Sequence, residues 1–187
     1  MPNPQLIIPR RFGDARGWFS ETYNQRTLAE LDIHDHFVQD NHSLSVSKGT
    51  LRGLHFQTPP HAQAKLVRCI SGAIWDVAVD VRAASPTYGQ WVGAELTASG
   101  GEQLYIPVGF AHGFITLTDH VEVAYKTSDY YAPQCDSGVV WNDPIIAIDW
   151  PISNFEPILS EKDQKLGLLQ DFASPFDYDG MPLAPLA

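Results

Sequence analysis

An all-β fold, an antiparallel barrel or sandwich with a few short peripheral helices, is the class this sequence predicts. Three observations carry it. Of 187 residues, 44% are hydrophobic and 18% charged, which supplies one packed core and excludes a disordered chain. The apolar residues fall mostly in short runs that alternate with period two. Gly and Pro then punctuate those runs at close spacing, as in Ser85-Pro86, Ser99-Gly100-Gly101, Pro107-Val108-Gly109 and Ala132-Pro133. Many short strands with few helices argue against an α/β fold.

From the N-terminus, a helix is predicted over 25–31, where Leu28 and Leu31 share a face. Strands follow at Gln39–Ser45, Leu51–Gln57 and Lys65–Ile70. After Gly72, the run AIWDVAVDVR puts Trp75, Val77, Val79 and Val81 on one face, with Asp76 and Asp80 on the other. Further strands are predicted at Trp91–Thr97, Gln103–Ile106, Gly113–Leu117, Val121–Thr127 and Val139–Trp141. A second helix is predicted from Ser160, where Asp163 three residues on resembles a capping box with Asp in place of Glu, ahead of Leu166 and Leu169. The tail after Phe172, rich in Pro, Asp and Gly, is expected to wrap the surface. With no repeat or linker, residues 1–187 read as one domain: an arm to about 35, a barrel over about 36–150, then a helix and tail.

Twelve Lys and Arg stand against 22 Asp and Glu, a net charge of −10. That balance argues against nucleic acid and anionic membrane, which need a basic surface. A small anionic ligand stays compatible, since nine of the twelve basic residues fall within 10–82. Cys69 and Cys135 form neither a CxxC pair nor a disulfide framework, so a reduced, cytoplasmic setting is expected. The apolar run near the N-terminus is too short for a signal-peptide core, and no stretch approaches the ~20 residues that span a bilayer.

Several residues are candidates for chemistry. In RGLHFQ (52–57), strict alternation puts His55 with Leu51 and Gln57, and Arg52 opposite. Gly53 permits a bulge that would bring Arg52 and His55 to one side, as a base and an anion-binding cation. A surface arginine and a structural histidine fit the local sequence equally well. The stretch PVGFAHGF (107–114) has the Pro-x-Gly-x-x-His spacing of the second cupin motif, which delivers a His into a small β-barrel. Metal-binding cupins also carry His-x-His in the first motif, where this chain reads His55-Phe56-Gln57. His55 and His112 alone fall short of the three protein ligands a catalytic metal usually takes, so no metal is expected. His34-Asp35-His36 reads as a solvated loop. Lys65 shares a strand face with Val67 and Cys69, either snorkelling to the rim or pointing into a polar pocket. Tyr125 shares a face with Val121 and Val123 and, taken alone, reads as core.

The order of segments is more specific than any one of them. FGDARGWFSE (12–21), VQDNHSLSVSKGTLRGLHFQ (38–57), QAKLVR (63–68), YIPVGFAHGF (105–114), YKTSDYYAP (125–133), WNDPIIAIDWP (141–151) and ILSEKD (158–163) run in sequence. From about residue 5 to 170, the chain resembles the dTDP-4-dehydrorhamnose 3,5-epimerase family, cupin-fold enzymes acting on dTDP-linked 4-keto-6-deoxy sugars. The resemblance implies epimerisation at C3 and C5 without cofactor or metal, and a homodimer. His55 matches the family's base, Tyr125 its proton donor, and Lys65 the cation that stabilises charge at O4. Arg16, Glu21, Gln39, Asp40, Asn41, Arg52, His112, Tyr131 and Lys162 match substrate-binding positions, Tyr131 being the aromatic that stacks on thymine. Asp136 stands where the family commonly has Glu. Either Asp163 or Asp76 is expected to orient His55. Relatives that epimerise only C3 or only C5 share these motifs. A non-catalytic nucleotide-sugar-binding cupin and a metal-dependent cupin oxygenase fit less well.

Overall fold

A computed structural model describes residues 3–152 and 155–186. Its strands are β1 (Gln5–Ile7), β2 (Arg11–Asp14), β3 (Gly17–Ser20), β4 (Gln39–Ser45), β5 (Leu51–Gln57), β6 (Lys65–Ser71), β7 (Ala73–Asp80), β8 (Trp91–Thr97), β9 (Gln103–Ile106), β10 (Phe110–Thr116), β11 (Val121–Thr127) and β12 (Asp136–Gly138). One α-helix, α1 (Gln25–Ala29), follows β3, with the Asn24 side chain accepting from the Arg26 backbone N–H as its N-cap. Two five-stranded antiparallel sheets, ordered β1-β9-β6-β11-β4 and β12-β5-β10-β7-β8, face each other, and β2-β3 forms a separate hairpin.

Alternation decides what each face does. Between the sheets lie Val67 and Cys69 of β6, Ile74 and Ala78 of β7, Leu104 and Ile106 of β9, Phe110 and Phe114 of β10, and Val121 and Val123 of β11. The opposite face of the second sheet is also buried. There Val77 and Val79, with Val81 just beyond β7, pack with Leu51, Leu54 and Phe56 under Ile146, Trp150, Leu169 and Phe176 from the C-terminal segment. Asp76 and Asp80 therefore do not face solvent; both are fully buried on the inward side of β7. The tail is pinned as well as wrapped. The Ala83 N–H donates to the Phe176 carbonyl at 2.7 Å, and Arg82 pairs with Asp179 at 2.8 Å.

The structure corrects several expectations, among them the start of the strand expected at Gly113–Leu117, which is observed at Phe110–Thr116. The second helix is absent: 160–171 holds two 3₁₀ turns, Asp163–Lys165 and Leu169–Asp171. Its capping start does form, with the Asp163 N–H donating to Ser160 Oγ at 3.1 Å. Leu166 then turns extended (φ −65°, ψ 143°), because Leu166 lies against Gly138 while Leu169 enters the core under β5 and β10. One helical face could not serve both anchors. The strand expected at Val139–Trp141 lies three residues earlier, as β12. The arm expected to end near 35 contributes β1 to the barrel sheet and the unforeseen β2-β3 hairpin. A 3₁₀ turn at Pro133–Cys135 adds a helical element between the two expected regions.

Candidate active site

The site begins with an irregularity in β5. His55 pairs with His112 on β10, but Arg52 pairs with Phe114, so three steps on β5 match two on β10. Gly53 is the extra residue, at φ +125°, where a Cβ would meet Gly113 Cα at 2.5 Å. No other residue fits that approach. The bulge resets the alternation: Leu51, Leu54 and Phe56 point to the outer core, while Arg52 and His55 line one cavity between the sheets.

Two cavities of about 470 and 290 Å³ share His55, Lys65, Tyr125 and Lys162 in their walls. The larger adds Gln39, Asn41, Tyr131 and Asp136. The smaller adds Arg52, His112, Phe114 and Asp163. His55 comes from one sheet, Lys65 and Tyr125 from the other, so base and acid candidates approach the cavity from opposite walls.

Asp163, 2% exposed, meets His55 Nε2 at 2.5 Å. Burial alone would raise its carboxyl, but the bond and charge of His55, with Ser160 and Lys162, hold it below the ordinary carboxylate range. The carboxylate therefore accepts a hydrogen bond from Nε2–H and leaves Nδ1 of His55 as the basic nitrogen. Asp76 has a different partner, His112, at 2.6 Å. Burial depresses the His112 imidazole despite Asp76, so it is neutral at pH 7. Lys65 is the buried cation of the site, donating to the His55 carbonyl at 3.2 Å. Desolvation pushes it down to about 8, against the pull of Asp76 and Asp136. Tyr125 is pushed upward by burial, with Arg52 opposing, and is a protonated phenol at neutral pH.

Lys162 closes the mouth by pairing with Asp136, which also accepts from the Tyr131 hydroxyl at 3.1 Å. Three expected binding residues lie elsewhere in this chain. Asp40 faces outward and pairs with Lys126 at 3.2 Å, because β4 alternates and only Gln39 and Asn41 line the cavity. Arg16 sits at the exposed tip of the β2-β3 hairpin, paired with Asp14, and Glu21 accepts from Asn24 at 2.8 Å. Ser43 and Phe114, which the sequence reading missed, line the smaller cavity; each stands two residues along its strand from a named neighbour, Asn41 and His112. Among the described residues no group of three or more His, Cys, Asp or Glu is placed to hold a metal.

The geometry defines a cupin-type barrel enzyme with His55, Lys65 and Tyr125 facing one cavity between its sheets. The family model described as dTDP-4-dehydrorhamnose 3,5-epimerase matches residues 1–171. The enzyme of that name from Salmonella typhimurium is 52% identical over 170 residues, covering 90% of this chain and 92% of its own. A crystal structure from Bacillus anthracis, with TDP and pyrophosphate bound, superposes at TM-score 0.85 and 52% identity, covering 88% and 93%. One from Legionella pneumophila, in complex with dTDP-4-keto-L-rhamnose, gives TM-score 0.85 and 46% identity, covering 89% and 88%. This chain belongs to the dTDP-4-dehydrorhamnose 3,5-epimerase family.

Proposed function

We propose that the chain converts dTDP-4-dehydro-6-deoxy-D-glucose to dTDP-4-dehydro-L-rhamnose by inverting C3 and C5. The observation that carries this reading is the placement of His55 and Tyr125 on opposite walls of one cavity. The C4 ketone makes the protons on C3 and C5 acidic. His55 Nδ1 removes one, the electron pair moves onto O4, and the Lys65 ammonium stabilises the enolate. Tyr125 then donates a proton to the opposite face of the same carbon. The His55 proton leaves to solvent, Tyr125 regains one, and the cycle repeats at the second carbon.

The larger cavity, with Tyr131, Asp136 and Lys162, takes the nucleotide, and the smaller, with Arg52 and His112, the sugar. We infer a cytoplasmic homodimer. Phe12, Trp18 and Phe19 are all more than half exposed on the β2-β3 hairpin, an apolar surface that a second copy would cover. In that arrangement the hairpin carries Arg16 and Glu21 to the partner's cavity.

Turnover of dTDP-4-keto-6-deoxyglucose in deuterated water, followed by proton NMR, tests the reaction. Deuterium at both C3 and C5 with an L-rhamno product is expected. Inversion at a single carbon would replace this reading with a mono-epimerase, and no exchange with intact binding would replace it with a binding protein.

A further inference from the structure

Gln57 stands where metal-binding cupins carry their second imidazole, and the chemistry above leaves it without a task. Its side chain is 4% exposed, and all its bonds go to backbone. Oε1 accepts from the Ala132 N–H at 2.8 Å. Nε2 donates to the Tyr130 carbonyl at 3.2 Å and to the His61 carbonyl at 2.6 Å. The first two belong to the peptide groups on either side of Tyr131. One amide thus fixes both peptide planes that flank the Tyr131 Cα. Gln39 adds a third restraint, accepting from the Tyr131 N–H at 3.0 Å. Tyr131 itself is 57% exposed at the cavity wall, so little packing holds its ring, and beyond the hydroxyl bond to Asp136 its aim depends on its backbone.

A carboxamide suits this task because it donates twice and accepts at the same time; a neutral imidazole offers one donor and one acceptor. We propose that Gln57 is a positioning residue for nucleotide binding: it sets the loop that aims the Tyr131 ring, and takes no part in proton transfer. This rests on the reading of Tyr131 as the thymine-stacking residue. Base–aromatic stacking is worth roughly five- to 150-fold in affinity, and that range bounds what Gln57 can contribute through the ring.

The test is a double-mutant cycle read by calorimetric titration with dTDP and by steady-state kinetics, with thermal melting confirming that each variant folds. Gln57→Met, similar in volume but without hydrogen bonds, is expected to weaken dTDP roughly tenfold and raise KM alike, with kcat within about threefold. In the Tyr131→Ala background the same change should cost less than about twofold, because the ring it serves is gone. Gln57→Glu keeps the acceptor for Ala132 and loses both donors; it should behave like Gln57→Met, and it carries the cycle should that variant not fold. Wild-type dTDP affinity in Gln57→Met, or an equal loss with and without the Tyr131 ring, would overturn the inference and leave the nucleotide reading standing. Unchanged dTDP affinity in Tyr131→Ala alone would overturn both.

Discussion

Asp76 and Asp80 lie four residues apart on β7, on the same inward face, and both are fully buried. Their surroundings differ. Asp80 accepts from the Arg82 backbone N–H and guanidinium, from Ser85 and from Thr87, at 2.7–3.0 Å. Burial would raise its carboxyl, but those donors outweigh it and hold it low. Arg82 in turn lies over the Phe110 ring and pairs with Asp179 of the tail. Asp76 accepts from His112 alone, and its Oδ2 has no hydrogen-bond partner among the described residues. Leaving a buried polar atom unpaired costs about 1–3 kcal/mol, more for a charge. Asp80 thus closes the barrel against the tail, whereas Asp76 lies behind His112, which lines the smaller cavity, where function tolerates an incomplete network.

The largest expected effect tests the site half of that contrast. His55→Asn should lower epimerisation by about 10²–10⁴-fold or more and abolish deuterium wash-in, because no enolate forms. Its unfolding midpoint should fall less than that of Arg82→Met, because the asparagine amide can still donate to Asp163. Tyr125→Phe should slow inversion much more than exchange, since His55 can still remove a proton and return deuterium to the same face. Near-normal exchange in His55→Asn would place the base elsewhere.

Arg82→Met tests the other half. Removing the cation leaves Asp80 buried without its main partner, which should cost about 3–5 kcal/mol in urea unfolding. The kcat/KM of the folded fraction should hold. A fall in kcat/KM with unchanged stability would mean that the two clusters do not divide the work as their bonding suggests.

How much of this was legible follows from range. The Gly53 bulge could be foreseen because it needs only local facts: an Arg and a His three apart around a glycine. Five predicted strands have the observed bounds, among them Gln39–Ser45 and Val121–Thr127, because their alternation is local. The Asp76–His112 pair could not be read, since it depends on β7 and β10 registering Phe114 opposite Asp76. The helix after Ser160 failed for the same reason. Its capping pattern was real, but His55, 108 positions away, draws Asp163 inward, and Leu166 and Leu169 dock on different surfaces. The hairpin has a local signal, Asp14 and Gly17 flanking a two-residue turn.

Lys65 offers the reverse of Arg82: a buried cation without a close ionic partner. Its depressed ionisation means that folding works against its charge at pH 7. Lys65→Met should therefore abolish efficient turnover yet stabilise the fold by up to roughly 3 kcal/mol. A loss of stability would show that the ammonium is better compensated than its bonding indicates.

The smallest effect is a pH profile, and it separates the two roles of Lys65 within one titration. The folded protein releases the Lys65 proton near 8, whereas an unfolded chain holds it to about 10.4. Between those values the unfolded state binds more protons, so the Lys65 contribution to stability rises with pH across that window. Activity should move the opposite way, because the ammonium proposed to stabilise the enolate is lost above about pH 8. The kcat/KM of the wild type should fall along a limb centred there, while the Lys65 contribution to stability grows. Lys65→Arg keeps a charge that cannot titrate in this range; its kcat/KM should be lower throughout, because the guanidinium fits the site differently, but the limb should vanish. Lys65→Met should erase the Lys65 contribution to the stability slope. A kcat/KM limb near 8 that persists in Lys65→Arg would assign the titration to another group and remove Lys65 from the enolate.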